Sequence, residues 1–450
     1  MKTAALNNKD ILSHKLRFEA EHYLNDNSFL CLVLECNKDN CDTLENLATV
    51  FNPPVFKRQF CKPTSRSVQY FQSSDVQNAE EFSPVHIFKG QAESLNLLVN
   101  KGDVLVTGFG TIGNTRLVSK HQDGVCYANN VCRIRTNSNI PNGFIYAFMT
   151  SKYGYAQLNN NASGSVVRYI EAPGIKRTLV PRVPESFQKE VDDLIQESAR
   201  LREEATEALE EAHTLIEDKF RVSAKKKSSC VSISSIRSSH NKRFEAFYHT
   251  SENRNIYDYI IQNFEYKTLG ELTSKIFRPG IFKREYVADG VTFLGGADIL
   301  MQIPDSEKKL SYRQVEKMPE LKVKRNWILV TCGGTIGNTV IIDGQLEKCV
   351  ISQHVMRIVP KDEVLKGYLY AVLSSKIGHS LITMHSTGSV IPQIESHHLE
   401  LVPVPILCNE EMLYIDGLIS TYVEKIEISK EKEIKAKFLV EQEIEKWNKN

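Results

Sequence analysis

The sequence contains no run of about 18 apolar residues, the length a membrane-spanning helix requires. Its opening, MKTAALNNKDILSHK, lacks the sustained apolar core of a secretory signal. None of the ten cysteines stands in a CxxC pair. Cys31, Cys36 and Cys41 are evenly spaced, but no histidine or further cysteine follows to complete a zinc set. The cysteines therefore read as reduced, and the expected compartment is cytoplasmic. There is no HExxH, no EF-hand loop and no GxSxG, and the Pro304-Asp305/Glu307-Lys308 segment lacks the spacing of a nuclease carboxylate site. An excess of charge of one sign is also missing: 56 Lys/Arg against 55 Asp/Glu leave a net +1. With 41% hydrophobic and 25% charged residues the composition is that of an ordinary globular protein, which excludes collagen-like, disulfide-scaffold and wholly disordered chains. A length of 450 residues predicts two to four domains.

What is present is a duplication. Arg17-Phe18-Glu19-Ala20 recurs as Arg243-Phe244-Glu245-Ala246, and Pro53-Pro54-Val55-Phe56-Lys57-Arg58 as Pro279-Gly280-Ile281-Phe282-Lys283-Arg284. Gly110-Thr111-Ile112-Gly113-Asn114-Thr115 recurs identically from Gly334 to Thr339. Gly164-Ser165-Val166 matches Gly388-Ser389-Val390, and Val191-Asp192-Asp193-Leu194-Ile195 matches Ile415-Asp416-Gly417-Leu418-Ile419. Order is kept throughout, at offsets of 226 to 224 residues. Charge follows the same division: net +5 over 1–184, −8 over 185–220, +7 over 221–407 and −3 over 408–450. Two mildly basic blocks thus alternate with two acidic ones, a distribution that suits a polyanion partner for the basic blocks.

Each repeat predicts a mixed α and β globular part followed by a long helix. Asp103–Thr107 and Trp327–Thr331 are short runs rich in β-branched residues, each followed by a glycine turn and another strand-like run, so each predicts a hairpin. Helices are expected to start at Ile145 and Leu369 and to end near Gly154 and Gly378. In the first acidic tail, positions 187, 191, 194, 198, 201, 205, 208, 212 and 215 step by four and three, the seam of a heptad helix. Its anchors are Phe187, Val191, Leu194, Leu201 and Leu215, with small residues at 205, 208 and 212 that permit close approach. The second tail carries Ile415, Ile419, Tyr422 and Ile426. The expected partner of each seam is the other, antiparallel helix. Lys225-Lys226-Lys227-Ser228-Ser229 and the serines after it read as a linker. The expected fold class is α+β: two repeated mixed α/β domains joined by two long antiparallel coiled-coil helices.

Two strings invite an enzymatic reading and fail it. Gly108-Phe109-Gly110-Thr111-Ile112-Gly113 fits GxGxxG, but a dinucleotide fingerprint must open a helix, and here a turn and strand follow. In the second repeat the first glycine is Cys332, so the shared element is GTIGNT. Asn52-Pro53-Pro54-Val55 is close to the Asn-Pro-Pro-aromatic motif of adenine methyltransferases, yet lacks the aromatic that stacks on the target base. The polar, repeated residues that remain, among them Thr111, Asn114, Thr335 and Asn338 on glycine turns and Lys57, Arg58, Lys283 and Arg284 after proline turns, suit contacts to phosphates or base edges.

The whole layout resembles the specificity (S) subunit of type I restriction–modification enzymes. The segments similar to that family are Lys283-Arg284-Glu285-Tyr286 through Asp289-Gly290-Val291-Thr292-Phe293-Leu294, and Ile328-Leu329-Val330-Thr331 with Gly334-Thr335-Ile336-Gly337. Ser352-Gln353-His354-Val355-Met356-Arg357-Ile358, Thr387-Gly388-Ser389-Val390-Ile391-Pro392 and Leu401-Val402-Pro403-Val404-Pro405 complete the set. The first repeat departs at Val166-Val167-Arg168-Tyr169, which replaces the Ile391-Pro392 end of that motif. The resemblance implies target recognition domains at 1–184 and, with the linker, 222–407, and spacer helices at 185–221 and 408–450. It implies a subunit without catalysis, which reads a bipartite, asymmetric site on double-stranded DNA. It would direct two methyltransferase subunits and, optionally, restriction subunits there, the acidic helices serving as contacts to the methyltransferases. No cofactor is expected in this chain; S-adenosylmethionine, ATP and Mg would sit on the partner subunits, and no membrane is involved. Lys57, Arg58, Lys283 and Arg284 would position phosphates, and Thr111, Asn114, Arg168, Thr335, Asn338, Ser389 and Gln393 would lie near the groove. A stand-alone adenine methyltransferase and a coiled-coil scaffold without DNA contact are the rival readings.

Overall fold

The computed structural model describes residues 26–164, 167–220, 231–238, 242–244, 248–249, 252–388 and 392–449. The linker at 225–229, the Arg17-Phe18-Glu19-Ala20 copy of the first motif and Ser389 lie outside them. The chain divides into two compact units: Met1–Glu203 with Ile428–Asn450, and Glu204–Glu427.

Unit 1 contains strands β1 (Cys41–Thr43), β2 (Ala48–Phe51), β3 (Phe60–Cys61), β4 (Ser67–Phe71), β5 (His86–Phe88), β6 (Val104–Thr107), β7 (Thr115–Leu117), β8 (Cys126–Tyr127), β9 (Val131–Thr136) and β10 (Leu179–Pro181). They form a four-stranded sheet β2-β9-β6-β7, a second four-stranded sheet β3-β5-β4-β8 and the pair β1-β10. Unit 2 repeats this with β11 (Tyr266–Thr268), β12 (Thr273–Phe277), β13 (Tyr286–Val287), β14 (Val291–Leu294), β15 (Lys309–Leu310), β16 (Ile328–Thr331), β17 (Thr339–Ile341), β18 (Val350–Ile351), β19 (Val355–Pro360) and β20 (Pro403–Pro405). Its sheets are β12-β19-β16-β17, β13-β15-β14-β18 and β11-β20, the same order strand for strand. The central strands explain themselves. Val104 and Val106 face one core cluster and Leu105 another, as strand alternation dictates; Ile328, Val330 and Leu329 do the same in unit 2.

The GTIGNT segment is the turn of the β6–β7 hairpin, and of β16–β17 in unit 2. Gly113 N donates to Thr107 O (3.1 Å), Asn114 N to Thr107 Oγ1 (3.0 Å) and Thr107 N to Asn114 O (2.9 Å). Gly337, Asn338 and Thr331 repeat these bonds at 2.9, 3.0 and 2.9 Å. Gly113 and Gly337 adopt φ of +90° and +88°, a region that penalises any Cβ. A strand follows in each repeat, so this turn has no helix N-terminus to hold a pyrophosphate.

Helices α1 (Asp26–Cys36), α2 (Asn142–Thr150) and α3 (Lys152–Asn160) cover the large sheet of unit 1. The expectation that the helix here ends near Gly154 is corrected: α2 stops at Thr150, and Ser151 caps α3 by accepting from Gly154 N at 3.2 Å. Gly154 sits in the first turn of α3 because a Cβ there would lie 2.2 Å from Phe148 O. Gly378 stands in the same way 2.0 Å from Val372 O, so these glycines serve close packing, not termination.

The acidic segments form α4 (Glu185–Lys219) and, after α5 (Glu252–Asn263), α6 (Lys366–Ser374) and α7 (Lys376–Met384), α8 (Asn409–Glu445). The unit boundaries fall within α4 and α8, so each unit contains part of both. In unit 1 Val191 and Ile195 share a core with Ala436, Val440 and Ile444, and Lys432 pairs with Glu197 at 2.7 Å. In unit 2 Ala212, Ile216 and Phe220 share a core with Ile415, Ile419 and Val423. There Glu204 pairs with Lys425, Glu211 with Tyr414 and Glu411 with Lys219, the descending order of an antiparallel pair. The seam thus packs on the globular cores as well as on the other helix.

Among the seam anchors, Val191, Leu201, Ile415 and Ile419 are buried, while Phe187, Leu194, Tyr422 and Ile426 are half-buried. Tyr422 stacks on Tyr370 with ring centroids 6.2 Å apart. Leu215 is a correction: it is 39% exposed, and its neighbour Ile216 is buried instead. A straight helix at 3.6 residues per turn drifts about 20° per heptad from a 3.5-residue repeat, which moves the buried position on by one residue. Among the described residues no helix is long and apolar enough to cross a membrane.

His213 of α4 sits within hydrogen-bond distance (2.8 Å) of Ser374 Oγ, and burial depresses its pKa to about 4. Between pH 6.5 and 4 the unfolded chain binds a proton that the folded unit does not. Stability is therefore fully present above pH 6.5 and is lost as pH falls towards 4, with a limiting slope of about 1.4 kcal/mol per pH unit. Denaturant titrations of H213Q across this window are expected to lack that component; an unchanged slope would refute the assignment.

Candidate nucleic-acid interface

Four loops meet at one end of the large sheet in unit 1, where β2 and β6 finish and β7 and β9 begin. They are residues 52–59, 108–114 and 128–130 and the described part of 163–171. Gly108 N donates to Asn130 O (3.0 Å), and Ile170 N to Gly108 O (2.8 Å). Asn52 ties the proline loop to the others, donating to Asn129 O (3.3 Å) and accepting from Ala172 N (2.8 Å). In unit 2 residues 278–285, 332–338 and 352–354 and the described part of 387–395 meet likewise. Cys332 N donates to His354 O (3.0 Å), and Ile394 N to Cys332 O (3.1 Å). The register partner of Asn52 is Arg278, which pairs with Glu395 at 2.7 Å, so the same loop is tied by an ion pair.

The proline loops are built to one plan. Phe56 and Phe282 pack against the cores beside the small sheets. Gln91 Nε2 donates to Lys57 O (2.8 Å), and Gln314 Nε2 to Lys283 O (2.7 Å). The guanidiniums of Arg58 and Arg284 lie over Tyr70 and Phe293, 5.7 and 5.4 Å from the ring centroids. Lys57, Arg58 and Lys283 are exposed, whereas Arg284 is half-buried and donates to Gln353 Oε1 at 3.2 Å. Lys57 and Lys283 thus present exposed ammonium groups to an anion, Arg58 is exposed while resting on Tyr70, and Arg284 is partly engaged by its own unit.

The other candidates separate. Thr111 and Thr335 are exposed at the crest of the hairpin turns, while Asn114 and Asn338 are half-buried, with their backbones closing the turns. Arg168 is half-buried and donates to Asn159 O at the end of α3, so it works as a helix cap. Gln393 is exposed, and its backbone pairs with Thr387.

Sequence reasoning missed several residues at this sheet end. Val55 and Ile281, at matching positions of the two proline loops, are 87% and 95% exposed. Exposed His354 stands beside Gly333. Phe109 and Tyr169 bridge and stack in unit 1. For the two loop tips the signal was available: an apolar residue repeated between a proline turn and a Lys-Arg pair. Among the described residues no group of three or more His, Cys, Asp or Glu side chains is placed to hold a metal ion.

Residues 261–437 match the family model of the type I restriction modification DNA specificity domain. This match lies within the second repeat. The first half repeats the strand order of the second. The chain is also similar to three solved structures. The S subunit of a type I restriction-modification system from M. genitalium shares 13% identity, covers 90% of this chain and 95% of its own, and gives a TM-score of 0.37. A structure described as underlying complex assembly and conformational transition of the type I R-M system shares 16% identity over 90% and 95%, with a TM-score of 0.30. The HsdS subunit from Thermoanaerobacter tengcongensis shares 16% identity over 90% and 95%, with a TM-score of 0.28. Among curated proteins none matches this sequence.

Proposed function

We propose that this chain is the non-catalytic specificity subunit of a type I restriction–modification system. Each repeat reads one half of a bipartite, asymmetric double-stranded DNA site. The chain directs two methyltransferase subunits and, optionally, restriction subunits to that site; S-adenosylmethionine, ATP and Mg belong to those partners. The observation that carries this reading is the duplicated sheet end. One frame of loops, held by the same anchors (Gln91 and Gln314, Arg58 and Arg284), presents different outward side chains in each repeat. Equal frames suit equal docking on the phosphate backbone, and unequal side chains suit unequal base sequences. The acidic faces of α4 and α8 repel phosphate and are the proposed contacts to the methyltransferases.

The test is methylation by this chain co-purified with its methyltransferase subunit, followed by mapping of modified adenines. A two-part motif with a fixed gap is the expected result. Modification by the chain alone would favour the stand-alone enzyme. Modification that is unsplit, or unchanged when this chain is omitted, would favour the scaffold.

The proposal also makes α4 and α8 a spacer. One heptad inserted at matched positions in both helices adds about 10 Å at 1.5 Å per residue. The gap in the mapped motif is then expected to grow by about three base pairs of roughly 3.4 Å each. A gap that stays constant in an active complex would refute the spacer.

A further inference from the structure

At the sheet end of unit 1, Phe109 and Tyr169 form an outward ledge. Their rings stack at 5.5 Å with 14° between planes, and they remain 37% and 38% exposed. Val167, 63% exposed, lies two residues from Tyr169. The ledge is held by backbone, not by chance side-chain contact. Tyr169 bridges both Phe109 and Ser163, exchanging two 2.8 Å hydrogen bonds with Ser163. Beneath it, Gly108 lies so close to the chain that a Cβ would stand 2.4 Å from Ile170 O. The corresponding bridge in unit 2 joins Gly333 and Gln393, with Thr387 in the place of Ser163. One backbone frame therefore offers two aromatic faces in the first repeat and a bare glycine with an exposed amide in the second. Among the described residues the Gln393 side chain makes no hydrogen bond that would occupy it.

Resting on the specificity-subunit reading, we propose that the Phe109–Tyr169 ledge is a base-reading surface that recognises the C5-methyl group of thymine in the half-site of the first repeat. Ring faces cannot pair with the donors and acceptors of a base edge or neutralise a phosphate. The only apolar group a base edge offers in the major groove is the thymine methyl. A fixed, exposed aromatic pair set among polar turns is complementary to that group. Gln393, at the same register position, has the paired donor and acceptor that suit adenine N7 and N6. The two half-sites are thus read at this position by opposite chemistries.

The test uses the complex with its methyltransferase subunits and duplexes carrying the mapped motif. Each thymine is replaced in turn by deoxyuridine, which removes only the methyl. In the wild-type complex at least one replacement in a single half-site is expected to weaken binding about three- to fivefold, the value of one buried methyl at about 0.8 kcal/mol. In F109G/Y169Q, which installs the pair of the second repeat, that penalty is expected to vanish, while replacements in the other half-site act as before. The second half-site also reports that the variant complex is folded and bound. Sequence-specific binding with no deoxyuridine penalty, or with a penalty the double variant leaves intact, would overturn the ledge alone. Absence of any sequence-specific binding by the wild-type complex would overturn the specificity-subunit reading and the ledge with it.

Discussion

Replacing Arg357 with methionine is expected to lower the stability of unit 2 by about 3–5 kcal/mol, more than any surface substitution would. Arg357 is fully buried on β19, and its guanidinium donates to the carbonyls of Ser352 (2.8 Å), Val355, Ile351 and Leu321 (3.4 Å). It makes no ion pair among the described residues, and burial lowers its pKa to about 10, so it stays charged at neutral pH. Methionine fills similar space but leaves buried carbonyls without this donor, at roughly 1–3 kcal/mol for each acceptor left unsatisfied. For a unit of this size each 1 kcal/mol moves Tm by about 2–4 °C, so calorimetry should show a fall of roughly 6–20 °C. Arg133 occupies the matching place in unit 1, donating to Ala128 (2.9 Å), Val131, Leu97 (3.0 Å) and Tyr127 (2.8 Å), and R133M is expected to behave likewise. A Tm within 2 °C of wild type for both variants would refute the carbonyl cage as a structural element. These cages hold the loops that precede β9 and β19, which belong to the candidate interface. Loss of stability should therefore bring loss of the sequence-specific methylation proposed for the complex.

The second large effect is expected at Glu433 of α8. Its carboxylate accepts from Tyr146 Oη and from Arg202 Nη2 at 2.7 Å, and all three side chains are buried in unit 1. E433L removes the acceptor that Arg202 and Tyr146 share, at a cost of about 3–5 kcal/mol. Replacing the whole set, as E433L/R202M/Y146F, should recover most of that loss, because an apolar substitute for a complete buried ion group is often neutral. Urea denaturation of the two variants tests this directly, and equal destabilisation of both would contradict it. In unit 2 the register partner of Tyr146 is Tyr370, which stacks on Tyr422.

Much of the fold was legible because its signals are local. The β-branched runs at 104–107 and 328–331, the GTIGNT turns and the four-and-three spacing of the first acidic helix each depend on neighbours within a few residues. Duplication doubled every such signal. The candidate interface was legible only in part. Lys57, Arg58 and Lys283 proved exposed beside their turns, but the cap on Asn159 O takes Arg168 and Gln353 engages Arg284. The partners involved lie 9 and 69 residues away in sequence, and no local pattern announces them.

By itself, the sequence determined that the chain is a tandem repeat of mixed α and β structure with long acidic helices, since repetition and periodicity are properties of residue order alone. It also determined which two loops in each repeat are glycine or proline turns, because backbone preference at those residues is intrinsic. Only the tertiary structure decided which of these side chains face outward. It turned Leu215 out and Ile216 in, because a straight helix does not keep a heptad register. It buried Arg133 and Arg357, ordinary basic residues in the sequence, as carbonyl cages. It also set Phe109 against Tyr169, sixty residues later, because strand pairing joins positions that sequence distance keeps apart.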